Sequence, residues 1–110
     1  MKDIGYYEHE MLNAIDKIGK YVGDMNLWEF CDDGKTFDAC CMQLQHIGEC
    51  GTKLLSLTSK NYKNIPFADM SGFRNRISHD YAGIDEEIIW STIKYSLPDL
   101  KKLLKGERKS

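Results

Sequence analysis

Apolar residues recur every three or four positions along almost the whole chain, and no stretch alternates with a sustained period of two. That spacing places one apolar stripe on each of several helices and gives a sheet nothing to build on. The first stripe is Ile4, Tyr7, Met11, Ile15, Ile18 and Val22, with Gly23 as its stop. The second runs from about Lys35 to Thr58 through Phe37, Cys40, Leu44, Ile47, Gly51, Leu54 and Thr58. Pro66 suits the first turn of a third helix, because a proline there gives up no intrahelical donor. Phe67, Met70, Phe73 and Ile77 form its stripe, and Gly83 is its stop. Asp85 reads as the N-cap of a fourth helix, with Glu86 and Glu87 in the first turn and Ile89, Ile93, Leu97, Leu100 and Leu104 on its inner face. A short fifth helix is expected around Trp28 in LWEF, followed by a turn at CDDGK. The expected fold is all-α: an antiparallel bundle of four main helices and one short one.

Two details of this pattern carry further expectations. Gly48 and Gly51 lie within the second helix, where glycine costs about 1 kcal/mol against alanine. Glycine on an inner face implies that another helix backbone comes close there. Pro98 falls inside the fourth stripe and should kink or briefly break it, since it lacks an N–H and crowds the preceding turn.

At 110 residues the chain is sized for one domain, expected over 1–110, with one compact core. No apolar run is long enough to span a membrane. The first residues, with Asp3, Glu8 and Glu10, do not resemble a secretion signal, so the expected location is the cytoplasm. A net charge of -2 argues against broad, non-specific nucleic-acid binding but leaves room for a local basic site near Lys60, Lys63, Arg74 and Arg76. Cys31, Cys40, Cys41 and Cys50 form no CxxC pair and read as small buried side chains. Zinc would need tetrahedral partners that their spacing does not offer. His9 and His46 show no partner pattern and receive no role.

The chemistry concentrates in RNRISHDY, residues 74–81, toward the end of the third helix. Asn75 and His79 are four apart and stack on one face. Arg74 and His79 are about 140° apart around the axis. Either the long arginine bends round to the histidine, or a second copy of the helix supplies the neighbour across a cleft. A guanidinium holds phosphate through two hydrogen bonds and stays charged. Histidine exchanges protons near neutral pH. RNA carries its own nucleophile, the 2′-hydroxyl, so such a site needs neither metal nor cofactor. The plain alternative is a surface arginine and histidine on an ordinary helix, which is what R-x4-H alone would usually mean.

The wider context resembles the HepT group of HEPN-domain proteins. The resemblance rests on Ile47-Gly48-Glu49, Arg74-Asn75, His79, Tyr81, Asp85, Trp90 and Leu97-Pro98, in that order and at those spacings, and it covers nearly the whole chain. Two positions depart from the group's pattern: Phe67 stands where tryptophan is usual after the proline, and Cys50 stands where alanine commonly follows IGE. The resemblance implies an all-helical homodimer acting as the toxin of a type VII HepT/MntA-like toxin–antitoxin pair. It implies a metal-independent endoribonuclease with Arg74 and His79 as catalytic residues in the dimer cleft. The partners it implies are RNA and a nucleotidyltransferase antitoxin like MntA, which transfers AMP onto Tyr81. Asn75 would orient the substrate or Arg74. Glu49 either pairs with Arg74 or is a solvated flank residue, and the sequence leaves both open. The competing function is a helical module that binds nucleotide or RNA, or docks a nucleotidyltransferase, without cutting.

Overall fold

In the computed structural model the chain is a bundle of helices around one apolar core. Residues 2–58, Tyr62, 64–79 and 86–105 are described, with 74–79 described by their backbone. Helix α1 spans Ile4–Val22, and α2 is the short Leu27–Asp32. Helix α3, Gly34–Leu55, is the longest, and α4 covers Phe67–His79. Helix α5, Glu86–Ser91, passes through a wider π-helical stretch, Thr92–Ser96, into α6, Leu97–Lys105. The four main helices and the short fifth are thus those the periodicity predicts. The expected stop at Gly83 and cap at Asp85 lie outside the described residues.

Local chemistry sets the starts of the first three helices. The Asp3 carboxylate accepts the Tyr6 N–H at 2.9 Å and caps α1. Asn26 and Glu29 form a reciprocal capping box at α2. The Asp33 carboxylate accepts the Thr36 N–H at 3.0 Å and caps α3. The turn expected across CDDGK is therefore a single residue: Cys31 and Asp32 finish α2, Asp33 turns the chain, and Gly34 begins α3. A strong cap lets two helices meet with almost no loop between them. Gly23 ends α1 with a positive φ of 55°, a conformation that suits glycine.

The core takes its members from the predicted stripes. Met11, Ile15, Ile18 and Val22 come from α1, and Phe37, Cys40, Leu44, Ile47 and Leu54 from α3. Phe67, Met70 and Phe73 come from α4, and Ile89, Ile93, Leu97, Leu100 and Leu104 from the last helical arm. From LWEF only Phe30 is fully buried, its ring 5.8 Å from that of Phe37 and 5.1 Å from that of Trp90, while Trp28 is 77% exposed.

The last arm shows how the chain accommodates Pro98. The Leu97 N–H reaches back five residues to the Thr92 carbonyl, and the π-helical stretch ends just before the proline. The Thr92 hydroxyl donates to the Ile88 carbonyl at 2.9 Å where that stretch begins. Side-chain bonding to the preceding turn loosens a helix at such a point. The arm widens without breaking, so residues on both sides of the proline stay in the core.

Candidate functional site: the outer seam of α3 and α4

The position of α4 is fixed by two glycines of α3. A Cβ built at Gly48 would collide with the Ser71 nitrogen, the Phe67 carbonyl oxygen and the Met70 side chain. One at Gly51 would strike the Phe67 ring. The two helix backbones touch because no side chain stands between them, as the glycines of the second stripe imply. The pairings also set direction and register. Moving back along α3 from Gly51 to Gly48 moves forward along α4 from Phe67 to Met70 and Ser71. The helices are antiparallel, and one further turn back, at Leu44 and Gln45, stands level with positions 74 and 75.

The same contacts fix which arc of α4 meets α3. Phe67, Met70 and Ser71 lie on it. Position 74 follows Met70 by four residues and Ser71 by three, so Arg74 is placed on that arc between them. Positions 75 and 79 follow Ser71 at steps of four. They run along the edge of α4 opposite the fully buried Phe73. On α3 the matching outer edge carries Gln45, Glu49 and Thr52. Phe73 and Ile47 mark the shared core side, so both outer edges open on the same side of the bundle. Of the residues singled out from sequence, Arg74, Asn75 and His79 are positions on α4, and Glu49 lies on the adjoining edge of α3. Tyr81 lies outside the described residues.

On that edge Gln45 donates its side-chain amide to the exposed Glu49 carboxylate at 3.0 Å. The Thr52 hydroxyl donates to the Gly48 carbonyl at 2.9 Å. Sequence reasoning gave Gln45 no part. Its level with Arg74 becomes visible only once the glycines fix the register.

A second polar group spans the other flank of α3. The His46 Nε2 stands 3.0 Å from the Glu10 carboxylate of α1, and the Cys50 sulfur is 3.7 Å from the same nitrogen. Sequence gave His46 no partner, because Glu10 is 36 residues away and only the α1–α3 packing joins them. Cys40, Cys41 and Cys50 sit in the apolar interior, as expected, whereas Cys31, at the end of the short α2, is only partly buried. Burial pushes the Cys40 and Cys41 thiols up to about 12 and the Cys50 thiol to about 11. A thiol held in its neutral form is a poor nucleophile and a poor metal ligand. Among the described residues no three His, Cys, Asp or Glu side chains are placed to hold a metal ion, and no helix is long and apolar enough to cross a membrane.

An all-helical bundle with a polar seam beside an R-x4-H helix defines a class, and comparison with known proteins narrows it. The profile of the family described as "Ribonuclease HepT-like" matches residues 11–106. The chain is 32% identical over 101 residues to "Putative RNase MJ0125" of Methanocaldococcus jannaschii, covering 92% of this chain and 87% of that protein. It is 28% identical over 103 residues to "Probable ribonuclease HepT" of Thermococcus cleftensis, covering 94% of each. No solved structure gives a significant match. The chain belongs to the HepT-like ribonuclease family.

Proposed function

We propose that the protein is a metal-independent endoribonuclease, the toxin half of a toxin–antitoxin pair, acting through Arg74 and His79. What carries this reading is the family match across residues 11–106, which includes all of α4. The likeness to proteins named as ribonucleases supports it. So does the placement of the α4 positions along one open seam.

The reaction suits these residue types. His79, neutral, accepts the proton of an RNA 2′-hydroxyl as its oxygen attacks the adjacent phosphorus. The bond to the 5′-oxygen breaks, and that oxygen takes up a proton from a second imidazole or from water. The products are a 2′,3′-cyclic phosphate and a 5′-hydroxyl. Arg74 holds the non-bridging oxygens and stabilises the charge that gathers on them in the pentacoordinate transition state. Asn75 orients the substrate or the guanidinium. One helix separates its arginine and histidine by about 140°, so a homodimer in which two copies of α4 face each other would complete the site.

Control would act on Tyr81. A nucleotidyltransferase antitoxin like MntA would join the tyrosine oxygen to the α-phosphorus of ATP with release of pyrophosphate. The attached AMP carries a phosphodiester anion, which would occupy the arginine's anion site and repel RNA phosphate. The whole chain would act as one HEPN domain in the cytoplasm.

Variants separate this reading from a module that binds RNA or docks a nucleotidyltransferase without cutting. Arg74→Ala and His79→Ala should each abolish cleavage, and His79→Ala should still bind RNA. Binding that is equal in wild type and His79→Ala, with cleavage by neither, would favour the non-catalytic module.

A further inference from the structure

We infer that Trp28 of one copy docks into the cleft between α1 and the last helical arm of another copy. This contact involves neither α4 nor the ribonuclease chemistry.

The knob stands out by its size and its surroundings. Trp28 is 77% exposed on a helix of six residues, while Phe30, two positions on, fills the core. A tryptophan carries a large apolar area, and where proteins meet it is among the residues that most often supply the binding energy. The stretch around it is acidic. Residues 21–34 hold Asp24, Glu29, Asp32 and Asp33 and no lysine or arginine. Asp32 follows Trp28 by four residues, so both lie on one face of α2. Asp24, Glu29 and Asp32 are exposed and line one hollow at the base of that helix.

The cleft has the complementary character. Its volume is about 430 Å³, within the range that takes a ring system. Ile15, Ile18, Ile93, Leu97 and Pro98 give it apolar walls. The charged groups that line it are Asp16, Lys20 and Lys101. Asp16 is paired with Lys20 at 3.5 Å, which leaves the charge of Lys101 uncompensated. Lys105, one turn on and exposed, extends that basic edge. Gly19 also lines the cleft, and a Cβ there would meet nothing within 4 Å. Glycine inside a helix costs stability, and no neighbour within the chain requires it at this position. A wall without a side chain lets an indole lie flat against the helix. An apolar ring with carboxylates beside it thus matches an apolar cleft with a basic edge, and opposite charges select and orient such a contact. Knob and cleft are different patches of one chain, so the contact is heterologous, one copy's tryptophan in another copy's cleft. A single side chain in a cleft covers far less area than a stable complex buries, so the association is weak and shows at high protein concentration.

Sedimentation equilibrium of the full chain, from micromolar to near-millimolar protein, tests this, with tryptophan emission read on the same samples. Wild type should gain mass with concentration, and its emission should move to the blue as Trp28 leaves water. Trp28→Ala removes the knob and retains Trp90, so that shift should vanish. Gly19→Glu closes the cleft by filling space that the fold leaves open, and its charge repels the acidic flank. Each variant should weaken the association roughly tenfold or more, the scale of a lost anchor residue. Lys101→Glu and added salt should weaken it as well. An equimolar mixture of Trp28→Ala and Gly19→Glu should associate again, because the first keeps the cleft and the second keeps the knob. Association through any other face is common to all these proteins and would not be restored by mixing. Equal mass curves for wild type and both variants, or a mixture no more associated than its components, would overturn the inference.

Discussion

A methyl group at position 48 would occupy the space of the α4 backbone. Its nearest neighbours there are a peptide nitrogen and a carbonyl oxygen, which cannot swing aside as a side-chain tip can. Gly48→Ala should therefore destabilise the fold by about 1–3 kcal/mol through overpacking, more than offsetting the gain of up to ~1 kcal/mol in helix propensity. It should also disturb the α3–α4 seam. Gly19 in α1 is the internal control, because a Cβ there would meet nothing within 4 Å. Gly19→Ala should stabilise by up to ~1 kcal/mol. Urea denaturation of both variants checks the pair, and a shift of the same sign in both would contradict the packing. At this scale the sequence was most legible where a residue is costly without a reason: glycine inside a helix pointed to a close approach. The Gln45–Glu49 bond was available as an i,i+4 pair, but the level at which it faces α4 needed a register that residue types do not carry. The Glu10–His46 pair left no local signal at all.

The joint between α2 and α3 rests on one carboxylate. The Thr36 backbone and hydroxyl, hydrogen-bonded to Asp33, hold its carboxyl below its ordinary 3.8, with a smaller contribution from the Lys35 charge. A depressed carboxylate pKa stabilises the fold above the ordinary value, and that contribution is lost as pH falls through the folded value. Asp33→Ala should lower Tm at pH 7, and the difference from wild type should shrink as pH drops below 3.8. Asp33→Asn, which keeps an acceptor, should lie between them. Circular dichroism melts at several pH values test this, and a Tm for Asp33→Ala equal to that of wild type at pH 7 would show that the cap does not hold the joint. At this scale the stripes located the helices to within a few residues, because one face of each had to be buried. α3 ends at Leu55, short of the expected Thr58. Pro98 announced a disturbance, but not its form. The π-helical stretch depends on which carbonyls the remaining N–H groups can reach, and core packing on both sides decides that. LWEF was too short for its period to show that Phe30, rather than Trp28, faces inward.

For the molecule as a whole, the buried thiols make stability depend on alkaline pH. An unfolded cysteine ionises near 9.0, whereas Cys40 and Cys41 in the core keep their protons to about 12 and Cys50 to about 11. Between these values the folded chain binds more protons than the unfolded one, so stability is full below pH 9.0 and falls as pH rises above it. Each such thiol adds a slope of up to about 1.4 kcal/mol per pH unit. The denaturation midpoint should drop between pH 8.5 and 10.5, less steeply in Cys40→Ala/Cys41→Ala. Equal slopes in the two proteins would contradict the account. The all-helical class was legible from periodicity, and the family was legible as an ordered set of residues resembling a known group. Periodicity within one chain could not supply whether α4 meets a second copy.

If α4 carries the proposed nuclease site, it cuts RNA without a metal. The most direct test incubates the unmodified protein and His79→Ala, masses confirmed, with total cellular RNA in excess EDTA, followed by analysis of the new ends. Wild type should cut, leaving 2′,3′-cyclic phosphates, and His79→Ala should not. No cleavage by a wild type free of AMP on Tyr81, or equal cleavage by both proteins, would contradict the proposal.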